Sequence, residues 1–229
     1  MPAQKQPHKR LIVALDVPTA AQALALADTL APQVDFFKVG LQLFLEAGFA
    51  VCDALSKRGH KVMLDLKSHD IPQTVALTTA QLANHDIALA TVHGYPQVVA
   101  AAAKAKGRTR ILAVTVLTSL GHEELAQSGF AGTLAELVQL RAETSLAAGA
   151  DGIVCSPLET ALLRKTIGPK PLIVTPGIRP LDSARDDQTR TATPRAAIQA
   201  GADYIVVGRP ITKAANPVTA AREILEEIG

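Results

Sequence analysis

The 229-residue sequence predicts an α/β fold in which eight parallel strands alternate with eight helices. Short runs rich in strand-forming residues recur along the whole chain, at 11–16, 34–39, 61–66, 87–92, 111–116, 152–155, 171–175 and 203–208. Ala- and Leu-rich segments of helical length lie between these runs, and no change of composition divides the chain. We therefore expect a single domain over residues 1–229, with residues 1–10 as a polar N-terminal extension.

A weak internal repeat indicates how the strands are arranged. Gly-Ala-Asp precedes an apolar run at 149–154 and again at 201–206. Repetition of one βα unit favours a closed (β/α)8 barrel, the TIM barrel, over an open doubly wound sheet. The hypothesis of a dinucleotide-binding sheet is further weakened, because no Gly-x-Gly-x-x-Gly follows any of the strands.

Start and stop signals predict where several helices begin and end. Thr133-Leu-Ala-Glu136 and Ser156-Pro-Leu-Glu159 have the pattern of capping boxes. Pro194 and Pro217 are expected at first helical positions, where a missing N–H costs nothing. Glycines that permit a left-handed turn are expected just beyond helix ends, at Gly59, Gly107, Gly149, Gly168 and Gly201.

Composition excludes several classes of function. Hydrophobic residues make up 48% of the chain and charged residues 19%, which indicates an ordered globular protein. Aromatic residues reach only 3% and the net charge is +2, so nucleic acid is not an expected partner. Apolar runs fall short of the ~18 residues of a membrane span. The first apolar run ends at Asp16, so we expect it to be a strand and not a signal peptide. Cys52 and Cys155 match neither zinc spacing nor a disulfide framework, so we expect a cytoplasmic protein.

The stretch 61–74 carries the densest charge. Asp65 and Lys67 are two apart on a predicted strand, so their side chains share a face, and Asp70 follows in the turn before Pro72 opens a helix. Such charges are costly to desolvate unless they pair with one another or with a ligand. An ordinary salt bridge on a loop would explain this stretch equally well.

Polar or charged residues stand at or near the carboxyl end of every predicted strand. They are Asp16, Lys38, Asp65, Lys67, His93, Thr118, Ser119, Ser156, Arg179 and Arg209. The carboxyl ends of barrel strands meet at one rim, so these side chains are expected to converge. A salt bridge could explain any one of them, but the whole set favours a functional site.

Two connections that follow strands, 118–133 and 176–193, are longer than the others. Long loops on this face commonly act as lids, and tolerated surface insertions are the alternative. His122 lies in the first of them and is expected to be solvated.

Gly208 and Arg209 follow the last predicted strand and suit an anion. Glycine permits close backbone approach, and arginine supplies a planar, permanently charged fork. Barrels commonly bind phosphate beside the loops after the seventh and eighth strands, where Arg179 and Gln188 also lie. A phosphorylated small molecule is therefore the expected ligand, although Arg209 alone could be a surface cation.

The pattern Asp65-x-Lys67-x-x-Asp70-Ile71-Pro72-x-Thr74 resembles the orotidine 5'-phosphate decarboxylase family, in its bacterial type. The resemblance runs from about residue 11 to about residue 211 and includes Asp16, Lys38, Thr118, Pro176-Gly-Ile-Arg179, Asp187-Gln188 and Val207-Gly-Arg209. It implies conversion of orotidine 5'-monophosphate to UMP and CO2, the last step of de novo UMP biosynthesis. It implies neither a metal nor an organic cofactor. Tyr95 stands where the family often has a small residue.

The resemblance also implies roles for individual residues. Lys67 would stabilise and protonate a carbanion at the pyrimidine C6, with Lys38, Asp65 and Asp70 holding it in place. Substrate contacts would come from Asp16, Lys38, Asp65, Ile71, Thr74, Thr118, Pro176, Arg179, Gln188, Gly208 and Arg209. The family's enzymes are homodimers, in which the residues matching Asp70, Ile71 and Thr74 reach into the partner's site.

Two other functions remain open on sequence grounds. One is a Mg²⁺-dependent decarboxylase or aldolase acting on sugar phosphates, with Asp65 as a ligand. The other is a non-catalytic barrel that senses a phosphorylated nucleotide. No ligand spacing around His69, Asp70 and His93 supports a transition-metal site, and we expect His93 to support the site from beside it.

Overall fold

The computed structural model describes residues 10–121, 125, 127, 129–180 and 190–229. Eight parallel strands pair in sequence order, and the eighth closes on the first to form a barrel. The strands are β1 (Leu11–Ala14), β2 (Phe36–Gly40), β3 (Lys61–Ser68), β4 (Leu89–His93), β5 (Arg110–Val114), β6 (Gly152–Val154), β7 (Leu172–Thr175) and β8 (Tyr204–Val207). The predicted TIM barrel is confirmed, and the predicted strand ends differ from these by at most two residues.

Ten α-helices lie in the described part of the chain and surround the strands. They are α1 (Ala20–Leu30), α2 (Leu41–Ala47), α3 (Phe49–Lys57), α4 (Pro72–Ala80), α5 (Pro96–Ala105), α6 (Leu134–Ala147), α7 (Thr160–Ile167), α8 (Pro194–Gln199), α9 (Arg209–Thr212) and α10 (Pro217–Ile228). The expected regular alternation is interrupted twice, since α2 and α3 both precede β3, and α9 and α10 both follow β8. Gly48 separates α2 from α3 with a φ of 59°, a left-handed backbone that ends the first helix.

One of the two predicted capping boxes is confirmed. The Thr133 hydroxyl accepts from the Glu136 N–H at 3.2 Å, and the Glu136 carboxylate accepts from the Thr133 N–H at 2.7 Å. The second predicted box forms only in part. The Glu159 carboxylate accepts from the Ser156 N–H at 3.0 Å, but the Ser156 hydroxyl accepts from the Leu158 N–H at 3.2 Å, and α7 begins only after Glu159.

The other predicted helix boundaries are confirmed. Pro194 and Pro217 open α8 and α10, each behind a side-chain cap. Positive φ angles between 57° and 104° occur just beyond helix ends, at Gly59, Gly107, Gly149, Gly168 and Gly201. These local signals are sufficient because each involves only neighbouring residues.

Alternation along the strands divides the apolar side chains between two cores. On each strand, one set of alternate residues fills the barrel interior, as Phe36, Met63 and Leu89 do. The other set packs against the surrounding helices. The interior rows continue into polar residues toward the carboxyl ends, with Lys38 two residues beyond Phe36 and Asp65 two beyond Met63. The apolar packing below therefore fixes where these charged side chains point.

In the described ranges, no helix combines the length and the apolar character that crossing a bilayer requires.

Candidate active site

Four charged side chains at the barrel rim form one alternating row, which we call the charged array: Asp16, Lys38, Asp65 and Lys67. The Lys38 ammonium lies 3.0 Å from Asp16 Oδ1 and 3.5 Å from Asp65 Oδ2. The Lys67 ammonium lies 3.0 Å and 2.9 Å from the two oxygens of Asp65. The sequence prediction that Asp65 and Lys67 share a face is confirmed, and Lys38 and Asp16 extend the pair.

Exposure differs along the array. The side chains of Lys38 and Asp65, in its middle, are 10% and 11% exposed. The ends are more open, with Lys67 at 35% and Asp16 at 53%. The ends of the array are therefore the most open to a ligand at the rim, and the buried middle holds them in place.

Charge pairing outweighs burial in the middle of the array. Burial alone would lower the pKa of Lys38, but the carboxylates of Asp65 and Asp16 raise it above its ordinary value. Burial alone would raise the pKa of Asp65, but the ammonium groups of Lys38 and Lys67 lower it. Both groups are therefore charged at neutral pH, and the array as a whole holds equal numbers of positive and negative charges.

Lys67 has an unusual backbone. Its φ is 51°, and it is the one non-glycine residue with a positive φ in the ranges that the structure describes. The pairing of β3 with β4 is irregular between Leu64 and Ser68, so the chain leaves the regular ladder here. A left-handed conformation costs a side-chain-bearing residue roughly 1–2 kcal/mol, and such strain concentrates at functional sites.

Thr91 is a site residue that sequence analysis missed. It is 2% exposed on β4, and its hydroxyl donates to Asp65 Oδ1 at 2.9 Å. The Thr91 hydroxyl oxygen also accepts from the backbone N–H of Lys67 at 3.0 Å. The available signal was its position on the inward row two residues before His93, where the rows below are apolar.

Gly40 is a second missed residue. A Cβ at this position would lie 2.8 Å from the Lys38 ammonium and 3.1 Å from Asp16 Oδ1. The space that a side chain would fill is thus occupied by an ion pair of the array. Its place at the end of β2, two residues after Lys38, was the only sequence signal.

A cavity of about 240 Å³ opens beside the array. It brings together Lys38, Asp65 and Lys67 with Thr118 and Pro176 from two other strand ends, as predicted. Thr118 lies four residues beyond the end of β5, so it belongs to the connection that follows the strand. The remaining lining is mostly apolar, and residues from β3, β6 and β8 form the floor.

The structure describes some, but not all, of the residues that were predicted to bind an anion. Gly208 precedes α9, and a Cβ there would lie 3.5 Å from Asp16 Oδ2, so the predicted phosphate end adjoins the array. The Arg179 backbone N–H donates to the Ala192 carbonyl at 2.9 Å, which closes the base of the seventh-strand connection. Gln188, together with His122, lies outside the described residues.

Arg190 joins the two long connections at their bases. Its guanidinium donates to the Glu159 carboxylate and to the Leu117 carbonyl, the latter at 2.8 Å. Arg190 and Glu159 are 8% and 9% exposed. Burial raises the pKa of Glu159, and the charge of Arg190 opposes that rise. Sequence analysis missed this pair because its members are separated by 31 residues.

Asp70, Ile71 and Thr74 lie apart from the array in this chain. Asp70 Oδ1 accepts from the Ile71 N–H at 2.6 Å, and Ile71 is 66% exposed. Asp70 and Thr74 line a separate cavity of about 380 Å³ on the outer side of β3 and β4. One chain alone therefore does not bring Asp70 to Lys67.

His93 ends β4, two residues beyond Thr91. Burial lowers its pKa, and the electrostatic effects of His69, Arg141 and Lys67 act in the same direction. The His69 ring lies 5.3 Å from that of His93 and stacks on Tyr95 with centroids 4.6 Å apart. His93 is therefore neutral at pH 7 and adds no charge to the array.

Comparison with known proteins assigns the chain to a family. A model of the Orotidine 5'-phosphate decarboxylase / HUMPS family matches residues 9–224. A protein of Rhodopseudomonas palustris (strain HaA2) called orotidine 5'-phosphate decarboxylase is 49% identical over 230 residues, covering 99% of this chain and 98% of that protein. One of the same name from Methylobacterium sp. (strain 4-46) is 48% identical over 227 residues, covering 97% and 96%.

Solved structures give the same result. A crystal structure of orotidine 5'-phosphate decarboxylase from Lactobacillus acidophilus has a TM-score of 0.85 and 38% identity, and covers 96% of this chain and 99% of that one. The structure of the protein of that name from Pyrococcus horikoshii OT3 has a TM-score of 0.78 and 25% identity, with coverage of 95% and 98%. The chain therefore belongs to the Orotidine 5'-phosphate decarboxylase / HUMPS family.

Proposed function

We propose that this protein converts orotidine 5'-monophosphate to UMP and CO2, the last step of de novo UMP biosynthesis, without a cofactor. The observation that carries the proposal is the charged array, in which Asp65 holds the Lys67 ammonium beside an open cavity. Relatives that are 47–49% identical over nearly the whole chain have the name of this enzyme, which supports the choice of substrate.

The chemistry demands a fixed positive charge. When the bond from C6 to the carboxylate breaks, its electron pair stays on C6, where the ring provides little resonance stabilisation. A preorganised ammonium stabilises such charge far better in a partly enclosed site than in water. Lys67 supplies this ammonium, and it then gives one proton to C6 to form UMP.

The other members of the array keep Lys67 charged and in place. Asp65 accepts from Lys67 with both oxygens, so the direction of the ammonium is set by two contacts. Lys38 neutralises Asp65 from the opposite side at 3.5 Å, which offsets the cost of burying that carboxylate. Asp16 at the open end, with Lys38, would bind the ribose hydroxyls.

The remaining contacts would hold the two ends of the nucleotide. Thr118 would contact the pyrimidine edge and Pro176 would form a wall of the cavity. The phosphate would bind at Gly208, Arg209, Arg179 and Gln188. The closeness of Gly208 to Asp16 supports this arrangement, because phosphate and ribose are neighbours in the substrate.

We further propose a homodimer with shared sites. Asp70, Ile71 and Thr74 would reach into the partner's site, where Asp70 would approach Lys67 from outside the chain. Exposed apolar side chains in this segment and on the helix that it opens support an interface, with Ile71 at 66% and Leu77 at 59%. Both cysteines are free and buried, which suits the proposed cytoplasmic location.

One assay tests the proposed function. Loss of absorbance on adding orotidine 5'-monophosphate is followed with EDTA present throughout. The proposal predicts the same turnover with EDTA as without it. Activity that appears only after Mg²⁺ is added would favour a metal-dependent enzyme of sugar phosphates, and tight nucleotide binding without turnover would favour a sensor.

A further inference from the structure

The Thr91 hydroxyl contacts both members of the Asp65–Lys67 ion pair. It donates its single proton to Asp65 Oδ1 at 2.9 Å and accepts from the Lys67 N–H at 3.0 Å. A hydroxyl has one proton and can accept from the other side, so both of its functions are used here. One oxygen atom thereby links the backbone of Lys67 to the carboxylate that binds its ammonium.

This link lies where the backbone of β3 lacks regular pairing with β4. The ladder between β3 and β4 pairs Leu64 with Ala90 and then resumes only at Ser68 with Val92. Within the gap, Lys67 adopts its left-handed φ of 51°. The backbone N–H of Lys67 donates to the Thr91 side chain, which replaces a ladder partner in this gap.

Thr91 itself is firmly placed. Its backbone pairs in register with Leu112 on the other side of β4, where the ladder is regular from Leu89 to His93. The side chain is 2% exposed on the row that contains Leu89 below it. Burying a hydroxyl directly above an apolar layer is unfavourable unless it is hydrogen-bonded, and both hydrogen bonds of Thr91 go to the charged array.

We infer that Thr91 is a positioning residue, which fixes the backbone of Lys67 and the carboxylate of Asp65 so that the ammonium faces the cavity. This inference rests on the proposed role of Lys67 at C6. Thr91 does not line the cavity of about 240 Å³ beside the array, so it would act only through the two residues that it joins. Its loss should therefore impair the chemical step more than nucleotide binding.

Three variants test the inference with kcat, KM and the affinity for UMP. Thr91→Val keeps the shape and removes the hydroxyl, and we expect kcat to fall by about tenfold to a hundredfold, the cost of a small misplacement. KM and UMP affinity should change by no more than about threefold, since the contacts of ribose and phosphate remain. Thr91→Ser restores the hydroxyl and should restore kcat to within about threefold of the parent.

Thr115→Val is the matched control. Thr115 is also fully buried, and its hydroxyl donates to the Val154 carbonyl at 3.0 Å, outside the array. We expect comparable loss of thermal stability from the two valine variants and a normal kcat for Thr115→Val alone. If Thr91→Val does not fold, as circular dichroism would show, Thr91→Ala is measured in its place with the same expected split.

The inference is overturned if kcat of Thr91→Val stays within about twofold of the parent or if Thr91→Ser is as slow as Thr91→Val. It is also overturned if Thr91→Val and Thr115→Val lose kcat to the same extent. Lys67→Ala is assayed in parallel, so that an error in the role of Thr91 can be distinguished from an error in the proposed function. An inactive Lys67→Ala beside a normal Thr91→Val refutes the role of Thr91 alone. A fully active Lys67→Ala refutes the proposed mechanism on which that role depends.

Discussion

Ion pairs lie at both ends of the barrel, and the two ends use them differently. At the amino ends of the strands, Asp151 accepts from Lys106 at 2.6 Å and 2.5 Å and from the Ile111 N–H at 2.7 Å. Asp203 accepts from Arg164 at 2.6 Å and from a backbone N–H of β7 at 2.9 Å. We call these the lower pairs. Both carboxylates come from the Gly-Ala-Asp repeat, so the repeat joins each strand to its neighbour.

The charged array at the opposite rim lacks this closure. Among the hydrogen bonds of the described residues, the ammonium of Lys67 donates only to Asp65, and its other side faces the cavity. The lower pairs tie side chains to strand backbones and stabilise the fold, whereas the array holds a cation ready for a ligand. Stability at the amino ends and chemistry at the carboxyl ends is the usual division in this architecture.

The largest effect on activity is expected when the array is broken at its open end. Lys67→Ala should reduce kcat by at least about a thousandfold, because it removes both the stabilising charge and the proton donor. UMP binding, measured by calorimetry, should remain detectable. Lys106→Ala is the matched control from the lower pairs, and it should lose stability while keeping kcat within about twofold. Equal activity of the two variants would remove the distinction between the two ends.

The second prediction concerns the proposed exchange between subunits. Lys67→Ala and Asp70→Ala are each expected to be nearly inactive. After the two proteins are mixed and subunits have exchanged, about a quarter of the sites should contain an intact Lys67 and the partner's intact Asp70. Activity should therefore rise toward a quarter of the parent value. No recovery after exchange has been demonstrated by mass spectrometry would count against shared sites.

The third prediction sharpens the assignment of the phosphate end. Arg209→Ala should raise KM for orotidine 5'-monophosphate by about tenfold to a hundredfold, the equivalent of one or two charge-assisted hydrogen bonds. Orotidine, which lacks the phosphate, is the matched substrate, and variant and parent should process it equally slowly. If Arg209→Ala treats both substrates as the parent does, the phosphate binds elsewhere.

The smallest effect on activity is expected from the lower pairs. Arg164→Ala removes donors to Asp203 and to the carbonyls of Gly168, Pro171 and Gly201. The free energy of unfolding should fall by about 1–3 kcal/mol, as measured by urea denaturation, with kcat unchanged. A loss of kcat without a loss of stability would show that the amino ends take part in the chemistry.

The sequence sufficed where a contact depends on a fixed local period. Asp65 and Lys67 are two residues apart on a strand, so their shared face followed from alternation alone. Convergence of Lys38, Thr118 and Pro176 followed from the parallel barrel, since carboxyl ends of the strands meet at one rim. Capping at Thr133 was also local and was predicted correctly.

Contacts that depend on register between strands or on distant partners were missed. Thr91 joins the array because the β3–β4 ladder is irregular at one point, which no pattern in either strand reveals. Gly40 is needed because Asp16 and Lys38, from two other positions, occupy its side-chain space. The capping box at Ser156 is incomplete because the Ser156 hydroxyl accepts from the Leu158 N–H, and α7 begins only after Glu159. The pair of Glu159 with Arg190 was missed because the two residues come from different connections.

The most direct test of the account is a crystal structure of the protein with UMP bound. The distance from Lys67 Nζ to the pyrimidine C6 should be about 3–3.5 Å, the range of a near-attack contact, with the phosphate beside Arg209. A nucleotide bound with C6 turned away from Lys67, at more than about twice that distance, would contradict the central claim that this ammonium acts at C6.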